Sequence, residues 1–478
     1  MKPSSYKFTK NSSAALQDVQ LQKALGNVGS GFIDKRKRAV DALPEFEALR
    51  IKARQIKDHT LDHLDLYLEQ FEQQVIRSGG QVHWARTPAE ARQIIVDLCQ
   101  QAKAKIVTKG KSMVGEEIDL NTALEQAGME AVETDLGEYI IQLAHESPSH
   151  IIAPAIHKTR AQIAELFHEH HAQYGLDAPL DSVSSIVDEA RRVLRDKYIR
   201  ADVGITGANF LIAETGSTVI VTNEGNGDLT ASLPKTHIVL ASLEKVVPTL
   251  EDATVLLRVL ARSATGQEIT AYTTFFTGPR RQQDLDGPNA FHVVLLDNGR
   301  SEMLGNEYRD MLRCIRCGAC LNHCPVYQAV GGHAYGWVYP GPMGSVLTPL
   351  MLGLKESAEL PNASSLCGRC EEVCPMSIPL PQMLRAHRNH EFTERITPGR
   401  QRLAMKLWSL MATRPFFYRI ASRIMIRTLK AWARGKGTMS RVPLAGAWTG
   451  SKDLPAPQGK TFFESWKIKR NHQGKDTR

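Results

Sequence analysis

Val82-His83-Trp84-Ala85-Arg86-Thr87-Pro88-Ala89-Glu90 is the stretch that decides the fold of the longer part of this chain. Val82-His83-Trp84 is a short apolar run that reads as a strand. Thr87, Pro88 and Glu90 then supply an N-cap, a proline at the first helical position and an acid at the third. Apolar residues recur at helical spacing from there to about Ala102. Lys105-Ile106-Val107-Thr108 reads as the next strand, Ile118 to Ala127 as a helix and Glu130 to Glu133 as a third strand. Strands alternating with helices predict an α/β layer fold with a mostly parallel sheet.

Working outward, the first 60 residues carry Lys35-Arg36-Lys37-Arg38 and few apolar periods, and read as an arm leading to an amphipathic helix from about Leu61 to Ile76. The stretch from Pro148 to Tyr198 reads as helical, and Gly204 to Val221 as two strands around small residues. Ile238 to Ala241, Thr273 to Phe276 and His292 to Leu296 read as further strands, with a helix from about Leu250 to Arg262 between the first two. The expected domains are an arm (1–60), an α/β domain (61–298), a cysteine-rich domain (299–394) and a basic amphipathic tail (395–478).

A chain of 478 residues suggests two or three domains, and 42% hydrophobic with 23% charged residues is ordinary globular usage. No run of about 18 apolar residues is present, and Met1 to Tyr6 lack the basic and apolar regions of a secretory signal, so the expected location is cytoplasmic. The net charge of +8 is unevenly spread: residues 395–478 hold 19 Lys and Arg against 3 Asp and Glu. The preceding body is therefore mildly acidic, and with no zinc-finger or RNA-recognition pattern nucleic acid is not an expected partner.

Seven of the eight cysteines fall between Cys314 and Cys374. In a reducing compartment, such spacing marks metal ligands rather than cross-links. Cys314-Ile315-Arg316-Cys317-Gly318-Ala319-Cys320-Leu321-Asn322-His323-Cys324-Pro325 is the C-x2-C-x2-C-x3-C-P run of bacterial ferredoxins, whose fourth cysteine ligates the other cluster when two are present. Cys367-Gly368-Arg369-Cys370-Glu371-Glu372-Val373-Cys374-Pro375 repeats the pattern one cysteine short, with Ser364 where the leading thiol would stand. By the crossing rule, one cluster takes Cys314, Cys317, Cys320 and Cys374, and the other takes Cys324, Cys367 and Cys370. Two iron-sulfur clusters, most readily [4Fe-4S], are expected. The second is left open between a [3Fe-4S] cluster, a four-iron cluster with Ser364, water or another oxygen ligand, and a fourth ligand from a partner. Zinc also uses C-x2-C pairs, but seldom three successive gaps closing on Cys-Pro.

Cys99, alone among Ile94, Ile95 and Leu98, reads as a buried core thiol. Gly331 to Gly344 is too rich in Gly, Pro and aromatics for a helix and is expected as a structured loop. Either it packs over the clusters or it forms a docking surface with His333 and Tyr335 as polar contacts. In the tail, Arg419, Arg423, Arg427, Lys430 and Arg434 form a cationic stripe beside Ile420, Ile424, Leu429 and Trp432. Such a helix suits packing on the protein's own core, an acidic partner, or an anionic membrane interface at the inner face of the membrane.

With both cysteine motifs, Thr108-Lys109-Gly110-Lys111-Ser112-Met113-Val114-Gly115-Glu116-Glu117, Ala213-Glu214-Thr215-Gly216-Ser217 and the Gly331 to Gly344 stretch in this order, the chain resembles the B-type iron-sulfur proteins of bacterial L-lactate utilisation, a family of predicted electron-transport proteins. The resemblance implies an N-terminal domain like the sugar-phosphate isomerase and CoA-transferase superfamily, followed by an α-helical two-cluster ferredoxin-like domain. It also implies two partners in oxidising L-lactate to pyruvate, the cysteine-rich A-type protein and the C-type protein of the same lactate utilisation complex. No nucleotide fingerprint is present: Gly225-Asn226-Gly227 is too short, and no G-x-G-x-x-G opens a helix after a strand. The donor, the acceptor and the catalytic residues are not assigned by these motifs. A second reading makes the α/β domain itself a binder or transformer of a carboxylate or acyl-CoA, with Glu214 as nucleophile and Lys109, Lys111 and Ser112 holding an anion.

Overall fold

The computed structural model describes residues 3–26, 29–110, 112–176, 178–442, 446–449 and 452–473. It divides into two units, residues 1–391 and 392–478.

The strands expected from the opening stretch form where the pattern put them. In chain order they are β1 (Gln81–Ala85), β2 (Ile106–Lys109), β3 (Glu130–Glu133), β4 (Val203–Gly207), β5 (Phe210–Ile212), β6 (Ser217–Thr222), β7 (Thr236–Ser242), β8 (Val246–Val247), β9 (Tyr272–Phe276) and β10 (Ala290–Leu296). Among the described residues, six of them make one sheet in the order β1-β10-β7-β4-β2-β3, every pair parallel. Parallel strands buried on both faces read as near-continuous apolar runs, as in Phe291 to Leu296 and Ile238 to Ala241. The helix Pro88–Gln101 starts as its cap predicts, with Thr87 Oγ1 accepting from the Glu90 backbone N–H at 3.2 Å.

Several expectations need correction. Gly204 to Val221 holds three strands, not two: β4 joins the parallel sheet, whereas β5 and β6 join a separate four-stranded sheet in the order β8-β5-β6-β9. Pro148 to Tyr198 is not helical throughout. Helices cover Arg160–His171 and Val183–Arg200, and residues 148–159 form an irregular segment. Residues 1–60, expected as an arm, contain helices at Phe8–Ala15, Val19–Leu25, Asp34–Asp41 and Phe46–Asp62. Phe46, Ala53 and Ile56 of the last one share a core with Phe210 and Val219 of the second sheet and with Leu321, Tyr327 and Leu384 of the cysteine-rich part.

Between β10 and residue 391 the chain is helical, in short pieces. The Gly331 to Gly344 stretch is irregular only as far as Pro340. Gly341–Leu352 is a helix, entered through Pro342, a residue tolerated in the first turn. A Cβ on Gly344 would fall 1.6 Å from the Tyr339 carbonyl oxygen, so this close approach needs glycine. In the second unit, helices span Gly399–Ala412, Pro415–Trp432 and Phe462–Gln473, with a two-stranded pair of β11 (Thr438–Met439) and β12 (Leu454–Pro455). The helix Pro415–Trp432 ends before Arg434, whose φ of 47° is left-handed, so the cationic stripe stops at Lys430.

Candidate functional site

The two cysteine motifs fold as structural repeats. Arg316 (φ 59°) precedes Cys317, and Leu366 (φ 54°) precedes Cys367. Each thiol is followed by a left-handed glycine, Gly318 (φ 71°) or Gly368 (φ 83°), which caps a four-residue helix, Ala319–Asn322 or Arg369–Glu372. A left-handed turn of this kind brings successive cysteines of a C-x2-C-x2-C run onto one concave side, and glycine adopts it at no steric cost. The matching backbone puts Ser364 in the place that Cys314 holds in the first motif. Ser364 is half-buried, and its Oγ accepts from the Leu366 N–H at 3.1 Å.

Four thiols meet at one cavity. Cys314, Cys317, Cys320 and Cys374 line it together with Ile151, Ile315, Met343, Met376, Ile378 and Leu380. Cys324 is not among them. Cys324 lies near Cys367 and Cys370, and Cys370 is also near enough to Cys320 of the first group to raise its thiol. Burial pushes the Cys317 and Cys370 thiols up to about 12, and the nearby sulfurs push the same way. Backbone N–H groups oppose this. Ala319 donates to Cys317, Val326 and Tyr327 to Cys324, and Met376 and Ile378 to Cys374. Tyr335 Oη is buried without a conventional partner and lies beside the Cys324 sulfur.

Such donors stabilise sulfur as thiolate, the form that binds metal, and in iron-sulfur proteins they also set the potential. Clustered thiols, N–H donors aimed at sulfur and an apolar wall that excludes water all fit iron-sulfur ligation. Cys99 stands apart, fully buried in the helix Pro88–Gln101, where burial alone raises its thiol to about 12.

A buried charge network braces the four-thiol cavity, and nothing in the residue spacing announced it. Glu117 takes a bidentate pair from Arg300 at 2.7 and 2.9 Å, the Tyr339 hydroxyl at 2.6 Å and Asn298 Nδ2 at 2.7 Å. Those donors hold its carboxyl below the usual range despite full burial. Glu244 sits 3.0 Å from Arg300 Nε and 3.4 Å from Arg316, and these cations hold it at about 2. The Arg316 guanidinium, inside the first motif, also lies over the Tyr339 ring at 4.7 Å. Lys57, 2% exposed, donates to the Glu244 carbonyl. From the N-terminal helices, Arg50 donates to the Cys374 carbonyl at 2.7 Å and Arg36 to that of Val373 at 2.9 Å.

The residues of the second reading do not converge. Glu214 is exposed, and its carboxylate accepts from the Leu250 N–H at 3.1 Å, at the start of the helix Leu250–Ala264. Lys109 is sealed between Glu116 and Glu133, both at 2.7 Å, and is not free to hold an anion. Ser112 caps the short helix Met113–Glu117, and Lys111 lies outside the described residues. In the stretch before the helix at Gly341, His333 is exposed and its Nε2 lies 2.7 Å from the Ser147 carbonyl, while Tyr335 is buried. No described helix is long and apolar enough to cross a membrane.

Family models match in three consecutive blocks: the LUD domain over residues 68–296, the 4Fe-4S dicluster domain over 310–378, and the C-terminal domain of lactate utilisation protein B over 389–471. The chain is 44% identical to lactate utilization protein B of Bacillus cereus strain B4264 over 467 residues, covering 98% of each. It is also 44% identical to the Bacillus cytotoxicus protein of that name over 477 residues, covering 100% of this chain and 99% of the other. Lactate utilization protein B 2 of Bacillus mycoides is 43% identical over 474 residues, covering 99% and 98%. With the paired cysteine motifs, the parallel sheet and the tail all matched end to end, the chain belongs to the lactate utilization protein B family, α/β proteins with a 4Fe-4S dicluster domain.

Proposed function

We propose that the chain is the iron-sulfur electron-transfer component of a complex that oxidises L-lactate to pyruvate. In this reading one four-iron cluster is held by Cys314, Cys317, Cys320 and Cys374, and a second cluster by Cys324, Cys367 and Cys370. The observation that carries it is the grouping of the thiols: Cys374 of the second motif lines the cavity of the first, and Cys324 does not. Iron-sulfur clusters, when bound, accept and pass single electrons. Around them this chain supplies N–H donors to sulfur, an apolar wall against water, and the buried cations Arg316, Lys57 and Lys245 near Cys314. Ser364 stands at the corner of the second cluster that lacks a thiol. The A-type and C-type lactate utilisation proteins are the proposed partners, and the acceptor beyond the second cluster is unassigned. The exposed cationic and aromatic face of the tail is the proposed place for a partner or for peripheral contact with the membrane.

The test is anaerobic reconstitution with the A-type and C-type proteins followed by addition of L-lactate. Reduced-cluster EPR signals should grow in step with pyruvate formation. Pyruvate formed at an unchanged rate with a Cys317→Ala/Cys370→Ala chain would overturn the relay.

A further inference from the structure

A cavity of about 550 Å³ opens where the parallel strands of the α/β part end at their carboxyl termini. Ser112 follows β2, Asp135 follows β3, Ala208 and Asn209 follow β4, and Lys245 follows β7; all of them line it. This is the side of an open parallel sheet on which ligands bind, and the volume admits a small organic molecule with room for a larger one. Its walls are mostly apolar, with Ile140, Ile151, Ile220, Leu240 and Leu260 contributing.

One group in it is out of keeping with those walls. Lys245 is 6% exposed, and among the described residues no hydrogen bond or ion pair reaches its ammonium. Its cationic neighbours are satisfied: Arg300 by Glu117 and Glu244, Arg316 by Glu244 and the Tyr339 ring, and Lys57 by the Glu244 and Val246 carbonyls. Glu244 and the Cys314 sulfur are counter-charges near it, but neither is within ion-pair or hydrogen-bond distance; a largely buried ammonium so compensated is still costly, and an anion entering the cavity would offset that cost. Lys245 lies near Cys314, yet it lines this cavity and not the four-thiol one, so its charge is available to both. Arg316 and Ile151 line both, so the two cavities are separated by a single layer of side chains.

We infer that this cavity binds an organic carboxylate, its carboxylate on Lys245 Nζ and its apolar body along Ile140, Ile151 and Leu260, one side chain away from the four-thiol site. The inference rests on the cavity and on Lys245, not on the relay, and no chemical step is assigned to it. Two sources share this chemistry: L-lactate itself, and a carboxylate with a larger apolar body.

The test is anaerobic titration calorimetry of the full-length, cluster-containing chain with L-lactate and, separately, with 3-phenyllactate. Binding of either supports the site, and the tighter of the two identifies the source. Lys245→Met should weaken binding at least tenfold, and Lys245→Arg should restore most of it. Ala264→Phe, which narrows the cavity without touching a charge, should weaken 3-phenyllactate more than L-lactate and covers the case in which Lys245→Met fails to fold. No binding of either acid overturns the inference. So does a Lys245→Met chain that binds as the parent does while its cluster EPR signal shifts, since Lys245 would then serve the cluster alone. Clusters absent from a chain that still binds would instead break the relay and leave this inference standing.

Discussion

Cys317 and Cys374, at 8% and 7% exposure, stand in a cavity of four thiols backed by a network that joins Glu117 and Glu244 of the α/β part to Arg300 and Arg316. In the second group Cys324 and Cys370 are as well buried, at 6% and 7%, but Cys367 is exposed where Cys314 and Cys320 of the first are half-buried, and Ser364 stands three residues before Cys367 as Cys314 stands before Cys317. The backbone matches in both at the left-handed residue before Cys317 and before Cys367 and at the left-handed glycine after each. On the proposed ligation the two differ in the fourth ligand and in the exposure of one thiol, and both govern how firmly a cluster is held and how readily oxygen reaches it. That ligation would give the same fold one secure centre and one labile centre.

The largest expected effect breaks the comparison at its root. Cys374→Ala should abolish the EPR signal that Cys314→Ala abolishes and leave the other centre largely intact. If Cys324→Ala shares its phenotype with Cys314→Ala instead, the two groups are wrongly drawn.

Next comes the bracing of the first site. Glu117→Gln leaves Arg300 buried with half its compensation, and removal of one partner of a buried ion pair costs roughly 3–5 kcal/mol. Denaturant unfolding should show a loss of that order, with the first centre's signal weakened before the second's. The pH dependence has a defined sign. Glu117 and Glu244 have lowered folded-state pKa values, so their contribution is complete above the unfolded value of 4.5 and is lost as pH falls from there, towards about 2 for Glu244. Melting temperature should drop over that window, and Glu244→Gln should lower the plateau and flatten the acid limb; an unchanged limb would remove the network from the account.

Ser364→Cys sharpens the contrast from the other side. It supplies the missing thiolate on a backbone already shaped for it, and should lengthen the survival of the second centre in air several-fold. In the parent chain air should convert that centre first, with a three-iron EPR signal growing in. Two equally resistant four-iron centres would contradict the asymmetry.

The smallest effect concerns the tail. The helices Gly399–Ala412 and Pro415–Trp432 bury no residue, and Phe416, Ile424, Met425 and Trp432 are 56–70% exposed beside the arginines. Salt-sensitive co-sedimentation with anionic vesicles, lost when residues 404–478 are deleted, is the expected result; no binding at low salt would leave a protein partner as the tail's role.

Much of the fold was legible because it rests on local signals. The Thr87 cap, the apolar runs of β7 and β10 and the helix Leu250–Ala264 are each set by residues close in the chain. The second sheet was not, because β5 has three residues and β8 two, too few for a period of two to show. The dicluster domain was legible for the same reason: its cysteine motifs have short, fixed spacings. Glu117, Arg300, Lys57 and Lys245 carry no such signature. They meet from distant parts of the chain, and a lysine bound for the interior looks like any surface lysine until the fold closes over it. Lys109 shows the converse, since its place beside a helix start suggested an anion site while Glu116 and Glu133 claim its charge.

Iron and acid-labile sulfide per chain, measured on anaerobically purified protein together with EPR before and after reduction, tests the central claim most directly. Two four-iron clusters correspond to about eight of each, and a three-iron second centre to about seven iron. The account predicts a value in that range, with two distinguishable reducible centres of which the second is lost first in air. Stoichiometric zinc, or a single centre of about four iron, would contradict it.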